Sequence, residues 1–272
     1  MAELEVSMFS EISKNGLVYM AAPNIPFSHG FTTRYGGVSR GAFESLDLGE
    51  NRGDESERVR ENFRRVKAAL GMDKLCFAHQ IHENKVRYVT GADAREPGDG
   101  TPPDCDGLVT DEEGLALIIF IADCAPILLC DPERHVIAAA HAGWRGTVAD
   151  IAGEAVRAME GLGCDPAGIR AAIGPCISRC CFETGPEVPE AVTAALGKEG
   201  REYIDGSERD EGKFFVDLKG VNRALLIRAG LRPENICVSD ECTVCESGKY
   251  WSHRVTGGLR GSQAAIIVNR RA

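Results

Sequence analysis

The chain has 272 residues, 43% of them hydrophobic, with a net charge of −10 and a pI near 5.2. That charge argues against nucleic acid or an anionic membrane as the main partner, while a local basic pocket can still hold a phosphate-bearing small molecule. No apolar run approaches the roughly 20 residues of a membrane span, and the acidic Met1-Ala2-Glu3-Leu4-Glu5-Val6 start lacks a signal-peptide profile, so a cytoplasmic protein is expected. The eleven cysteines, an odd number, do not read as a disulfide framework, and most are expected to be small buried hydrophobes.

Residues 1–35 read as short strands. Gly36-Gly37-Val38-Ser39-Arg40-Gly41 follows, either an anion-cradling loop beside Arg34 or an ordinary surface turn. Asp54-Glu55-Ser56 opens a helix that reaches Leu70 and stops at Gly71, with Val59, Phe63, Val66 and Leu70 as its apolar stripe. Leu75 to Val89 reads as a strand pair or strand-loop-strand containing His79-Gln80-Ile81-His82. In an extended segment the two histidines face opposite ways, so only one can join a given site, and the residues alone do not say which. Residues 91–104 form a loop, and a strand begins at Cys105.

The stretch Leu115 to Gly146 organises the chain. Two apolar, β-rich runs flank Asp131-Pro132-Glu133-Arg134, which is strong turn chemistry. A hairpin closed around that turn sets Cys130 opposite His135 and Cys124 opposite His141, with Cβ atoms about 4.5–5.5 Å apart. One metal ion can bridge such a pair, and a one-residue slip would separate them onto opposite faces. A buried thiol beside a satisfied core histidine is the plainer reading, but a polar Asp123-Cys124 interrupting an apolar run counts against it. Gly143-Trp144-Arg145-Gly146 then leads into an amphipathic helix over 147–162, whose N-terminus suits an anion. A strand over 169–173, helices over 186–196 and 218–230, a strand over 235–238, a glycine–arginine turn at 257–261 and a strand over 264–268 complete the chain. Strands and helices alternate irregularly with hairpins, without internal repeat or composition break. The expectation is one α+β domain, residues 1–272, with layered mixed or antiparallel sheets flanked by helices.

Three constellations carry chemistry. One histidine of 79–82 with Cys124 and His141 would give three metal ligands and an open fourth position, the catalytic zinc pattern; copper accepts the same donors. Cys124 activated by His141 would be a nucleophile, as in a cysteine hydrolase. Cys237, Cys242, Cys245 and His253 suggest a zinc knuckle but lack its second C-x₂-C. Six histidines in all are too few for a multicopper cluster.

Thr33-Arg34-x-Gly36-Gly37-Val38-Ser39, Gln80-Ile81-His82, Asp106-Gly107-Leu108-Val109-Thr110, Ala122-Asp123-Cys124-Ala125-Pro126, His141-Ala142-Gly143-Trp144-Arg145-Gly146, Ile173-Gly174-Pro175-Cys176-Ile177 and Tyr250-Trp251-Ser252-His253-Arg254 occur in this order. In these motifs, over about residues 25–269, the chain resembles the laccase-domain family of purine nucleoside phosphorylases, formerly called multicopper polyphenol oxidoreductases. The resemblance implies a single α/β domain and Zn²⁺ held by His82, Cys124 and His141, with Cu²⁺ as the older alternative. It implies purine nucleosides and phosphate as partners. The reactions would be phosphorolysis of adenosine, inosine and S-methyl-5′-thioadenosine to base and (methylthio)ribose 1-phosphate, with adenosine deamination besides. The rivals are a copper-dependent polyphenol oxidase and a cysteine hydrolase using Cys124. Arg34, Arg145 and Arg260 are the candidate phosphate donors, since a guanidinium matches phosphate bidentately. The chain departs from the family at Asp47, where Asn is usual, at Phe63, and at Val255, where a second arginine often follows Arg254. A monomer or homodimer is expected.

Overall fold

Strands that are apolar on both faces need cover on both faces, and the central strands here are of that kind. The computed structural model describes residues 8–206 and 212–272. The acidic Met1 to Val6 start lies outside them, as does the beginning of the expected 1–35 strand segment. Along the chain the strands are β1 (Ser10–Lys14), β2 (Leu17–Ala21), β3 (Phe27–Thr32), β4 (Lys74–Phe77), β5 (Val86–Tyr88), β6 (Gly107–Thr110), β7 (Leu115–Ile121), β8 (Ala125–Asp131), β9 (Val136–Ala142), β10 (Arg170–Ile173), β11 (Glu183–Thr184), β12 (Ile204–Gly206), β13 (Phe214–Val216), β14 (Ile236–Val238) and β15 (Gln263–Arg271). The helices are α1 (Ser56–Leu70), α2 (Trp144–Val148), α3 (Ile151–Glu160), α4 (Glu187–Leu196), α5 (Leu218–Arg228) and α6 (His253–Thr256).

Two six-stranded sheets, ordered β1-β2-β3-β15-β7-β4 and β14-β10-β8-β9-β6-β5, stand beside a small sheet of β11-β13-β12. Both large sheets are mixed: β4–β7, β5–β6 and β10–β14 pair parallel among antiparallel neighbours. Alternation along each strand builds the layers. Leu117, Ile119, Leu128, Ile137 and Ile267 meet between the two sheets. Ala116, Ile118 and Ile266 face outward onto Val59, Phe63 and Val66 of α1. Ile127, Leu129 and Ala138 face the other way, onto α3 and α5. The order is therefore helix, sheet, sheet, helices, the expected α+β architecture. No described helix is long and apolar enough to cross a membrane.

Several local expectations change. The apolar run from Leu115 is not one arm of a hairpin: β7 pairs with β4 and β15 in the first sheet, and only β8 pairs with β9 in the second. Ala122-Asp123-Cys124 is where the chain crosses between sheets. The hairpin register is also two residues off, with Pro126 opposite His141 and Asp131 opposite Val136. The turn is displaced onto Pro132 to His135, because His135 takes φ 56° and Asp131 Oδ1 accepts the N–H groups of Glu133 and Arg134. An even slip keeps every side chain on its expected face, so Cys124 and His141 stay on one side. The 147–162 helix is broken: Asp150 at φ 64° ends one segment and caps α3 through the N–H of Gly153. Of the two readings of 75–89, strand-loop-strand holds: β4 and β5 do not pair and belong to different sheets.

One buried acid has a measurable consequence. Asp47 is fully buried; its Oδ1 accepts the N–H groups of Gly49 and Ser262, and its Oδ2 has no partner. Burial, with the charge of Asp54, outweighs those donors and the Arg52 charge and pushes its carboxyl up to about 6. A pKa raised on folding stabilises the protonated fold, so stability is greatest below about pH 4 and falls as pH rises through 6. At about 1.4 kcal/mol per tenfold in the ionisation constant, the ionised state costs on the order of 3 kcal/mol. Asp47→Asn is expected to match the wild type near pH 4 and to exceed it by about 1–2 kcal/mol at pH 8, part of the gain being offset by the amide nitrogen that inherits the partnerless position. Urea unfolding at both pH values checks this; identical pH profiles for the two proteins would contradict it.

Candidate metal centre

Three side chains from three separate segments meet at one end of the sheets. His82, Cys124 and His141 present ligand atoms that all lie within 4.8 Å of one another. The two imidazoles stand edge to face with centroids 4.8 Å apart. His141 is the next-to-last residue of β9, Cys124 lies in the β7–β8 crossing, and His82 lies in the β4–β5 connection. Of the expected pair, then, His82 joins the centre, while His79 turns its Nδ1 to Asp104 at 2.8 Å.

Each position is held by backbone accounting. The crossing requires a sharp reversal, and Asp123 makes it at φ 86°. The Asp123 carboxylate accepts from the hydroxyls of Thr243 (2.6 Å) and Ser252 (3.0 Å) and from the Arg254 N–H (2.7 Å), while its carbonyl accepts from the Ile177 N–H (2.9 Å). Asp123 is thus a positioning group for Cys124. Gln80 ties the His82 loop to β7: its amide donates to the Phe120 carbonyl and accepts the Phe120 N–H. His82 itself sits at φ 63°. Two left-handed non-glycine residues flanking one cavity are the strain that functional sites retain. Gly143 is required by contact, since a Cβ there would lie 3.0 Å from the His82 ring and 3.2 Å from the Cys124 sulfur.

Asp106, to which the sequence assigned no role, organises the rest. Fully buried, it accepts the N–H groups of Ile81, His82 and Glu83 and the Nδ1–H of His141 at 2.8 Å. The only signal for it in the sequence is its place in Asp106-Gly107-Leu108-Val109-Thr110. Burial opposes its ionisation, but the His141 hydrogen bond and those N–H donors hold its carboxyl below the usual carboxylate range. Burial likewise opposes a thiolate at Cys124, yet the His141 charge and hydrogen bonds from His141 and His82 bring it down to about 6. Burial would depress His141; the Cys124 thiolate and Asp106 instead raise it to about 9. With Nδ1 committed to Asp106, His141 turns Nε2 toward the sulfur. A carboxylate–histidine pair beside a low-pKa thiolate and a second imidazole can hold one metal ion, zinc or copper, with an open fourth position.

The centre forms the floor of a cavity of about 510 Å³, within the ordinary range for small-molecule sites. Phe120, Trp144 and Phe182 contribute aromatic wall, and Arg52, Arg254 and Arg260 contribute charge. Of the expected phosphate donors, Arg260 lines the cavity. It is buried, bonds Gly261 O and Ser262 Oγ through Nη1, and keeps a buried Nε without partner. Arg34 lies outside the lining: its guanidinium is spent on the carbonyls of Glu44 and Ser247 and stacks 3.9 Å from the Trp251 ring. Arg145 is exposed, stacked on Trp144 and also outside the lining. Arg52 went unnoticed in the sequence, where a lone arginine after an Asn carries no pattern. The Gly36–Gly41 loop is no anion cradle, because the N–H groups of Gly37, Val38 and Ser39 are taken by Ser45 and Asn62. The 143–146 turn leads only into the five-residue α2 and supports the histidine–cysteine contact instead.

Residues 28–270 match the family model described as multi-copper polyphenol oxidoreductase laccase. A purine nucleoside phosphorylase of Deinococcus radiodurans is 42% identical over 255 residues, covering 93% of each chain. A protein named adenosine deaminase RL5, from an unknown prokaryotic organism, is 34% identical over 84% of this chain and 88% of its own. The crystal structure of YlmD from Geobacillus stearothermophilus superposes with a TM-score of 0.89 at 34% identity, covering 97% of this chain and all of that one. With the fold, the order of motifs and this extent of similarity in agreement, the chain belongs to the multi-copper polyphenol oxidoreductase laccase family, the laccase-domain family.

Proposed function

We propose that this protein is a zinc-dependent purine nucleoside enzyme. It cleaves adenosine, inosine and S-methyl-5′-thioadenosine with phosphate and also deaminates adenosine. The observation that carries this reading is the His82–Cys124–His141 centre, backed by Asp106, at the floor of an aromatic cavity that also contains a buried arginine with an unpaired N–H. The donor set fits Zn²⁺, which when bound supplies Lewis-acid polarisation and acidifies water at the cavity floor. The relatives named purine nucleoside phosphorylase and adenosine deaminase support the same substrate class.

The remaining work falls to the chain. Phosphorolysis breaks the bond from C1′ to the base nitrogen and forms one from C1′ to a phosphate oxygen, the electron pair leaving with the base. Positive charge develops at C1′, and a fixed phosphate stabilises it. Arg260, desolvated and with Nε free, is the phosphate anchor, with Arg52 at the rim. Phe120, Trp144 and Phe182 offer ring faces to the purine and keep water from the sugar. A multicopper reading fares worse, although a single copper ion accepts the same donors. Among the described residues, the only histidine-containing group able to hold a metal offers three ligands.

The test is chromatography of products from each nucleoside with and without phosphate. Base and sugar phosphate should form only with phosphate, and inosine should form from adenosine without it. Base release that ignores phosphate would overturn the phosphorylase claim. Arg260→Gln is expected to raise the KM for phosphate about 10- to 100-fold, the worth of a charge-assisted hydrogen bond, and to spare deamination. Equal loss of both activities would remove Arg260 from the phosphate site.

A further inference from the structure

A second cluster of thiols lies behind the cavity wall. The sulfurs of Cys180, Cys181, Cys242 and Cys245 all lie within 4.8 Å of one another. Cys180–Cys181, Cys180–Cys245 and Cys181–Cys245 are separated by 3.7, 3.6 and 3.5 Å. All four are unbridged. The expected grouping of Cys242 and Cys245 with Cys237 and His253 is thereby corrected. Cys237 lies on β14 and His253 lines the cavity, while the second pair of sulfurs comes from the adjacent Cys180-Cys181, a spacing the C-x₂-C pattern does not reveal.

Two independent features identify the chemistry. First, a zinc–sulfur bond of about 2.3 Å sets the sulfurs of a tetrahedral tetrathiolate about 3.8 Å apart, close to the observed separations. A multi-iron cluster would spread its thiolates well beyond them. Second, Cys242-Thr243-Val244-Cys245 turns back on itself, with the Glu246 N–H on the Cys242 carbonyl at 2.9 Å, and the Cys242 sulfur receives the N–H of Ser178 from the facing segment at 3.4 Å. A backbone donor delivered by the segment that carries the other two sulfurs orients the Cys242 sulfur, as second-shell hydrogen bonds do around metal ligands.

We infer that Cys180, Cys181, Cys242 and Cys245 bind a second, structural Zn²⁺ that staples the 176–183 segment to the 242–254 segment. These segments touch otherwise through few bonds. The Thr243 N–H meets the Cys176 carbonyl at 3.1 Å, and Arg254 reaches the carbonyls of Cys181 and Glu183 at 3.2 and 3.0 Å. They carry Ile177, Phe182 and Arg254 into the cavity wall and supply Thr243 and Ser252 to Asp123 beside Cys124. The staple thus fixes one wall of the substrate site without touching substrate.

The test uses the full chain expressed with zinc, and it separates this site from the cavity-floor centre. The wild type is expected to contain two zinc ions per chain and Cys124→Ala one. X-ray absorption of the zinc left in Cys124→Ala should show four sulfur neighbours at about 2.3 Å. Cys181→Ser/Cys245→Ser should fall from two zinc ions to one and become more sensitive to proteolysis between residues 176 and 183. A zinc-free Cys124→Ala protein, nitrogen or oxygen in its zinc shell, an iron load in place of zinc, or an intact mass showing the four cysteines paired as disulfides would overturn the proposal. Those outcomes differ from failure of the cavity-floor zinc, which would show as one zinc per chain, sulfur-ligated, in both wild type and Cys124→Ala.

Discussion

Cys124→Ala is expected to lose the cavity-floor metal and to lower turnover on the order of 10³-fold, comparable to removing a principal electrostatic stabiliser. The sulfur is the one anionic donor of the proposed centre, its pKa brought down to about 6 by His141 and His82 despite its burial. Without it, two imidazoles remain, and a catalytic zinc site needs three protein ligands. The fold should survive. The crossing is held by Asp123 through Thr243, Ser252, Ile177 and Arg254, and alanine is accepted on either side at Ala122 and Ala125. Circular dichroism alongside metal analysis and turnover checks this. Full activity in a variant lacking that metal would refute the ligand role; full metal with lost activity would favour a cysteine nucleophile.

Asp106→Asn is expected to be the more damaging change to the fold. The carboxylate accepts four donors, three backbone N–H groups and His141 Nδ1–H. An amide replaces one acceptor oxygen with an NH₂ that faces donors. At about 1–3 kcal/mol for each buried group left unpaired, the variant should lose on the order of 3 kcal/mol of stability. It should also bind zinc about 10- to 100-fold more weakly, because His141 loses the partner that fixes its tautomer. Urea unfolding and zinc titration measure the two effects separately. A stable variant with unchanged zinc affinity would contradict the role given to Asp106.

These two residues mark the limit of what the sequence discloses. Cys124 is legible because a polar pair interrupts an apolar run, and its face survives a register error of two because strands repeat every two residues. Helices α1, α4 and α5 are legible from their stripes and stops. Asp106 is not, because its importance lies in three N–H groups from a loop over twenty residues earlier in the chain, a tertiary fact. The break at Asp150 escapes a periodicity reading because α2 and α3 continue one apolar face with a single left-handed residue between them. Arg34 and Arg260 look alike beside their glycines, and only burial separates one spent on carbonyls from one with a free N–H.

We propose that zinc at His82, Cys124 and His141 enables phosphate-dependent cleavage of purine nucleosides. The most direct measurement follows inosine and phosphate by phosphorus NMR, with protein stripped of metal and reloaded with zinc or with copper. Ribose 1-phosphate is expected to appear in step with hypoxanthine in the zinc-loaded protein and to be absent in zinc-loaded His141→Ala. Hypoxanthine without ribose 1-phosphate, or activity that follows copper together with oxygen uptake on a phenol, would contradict it.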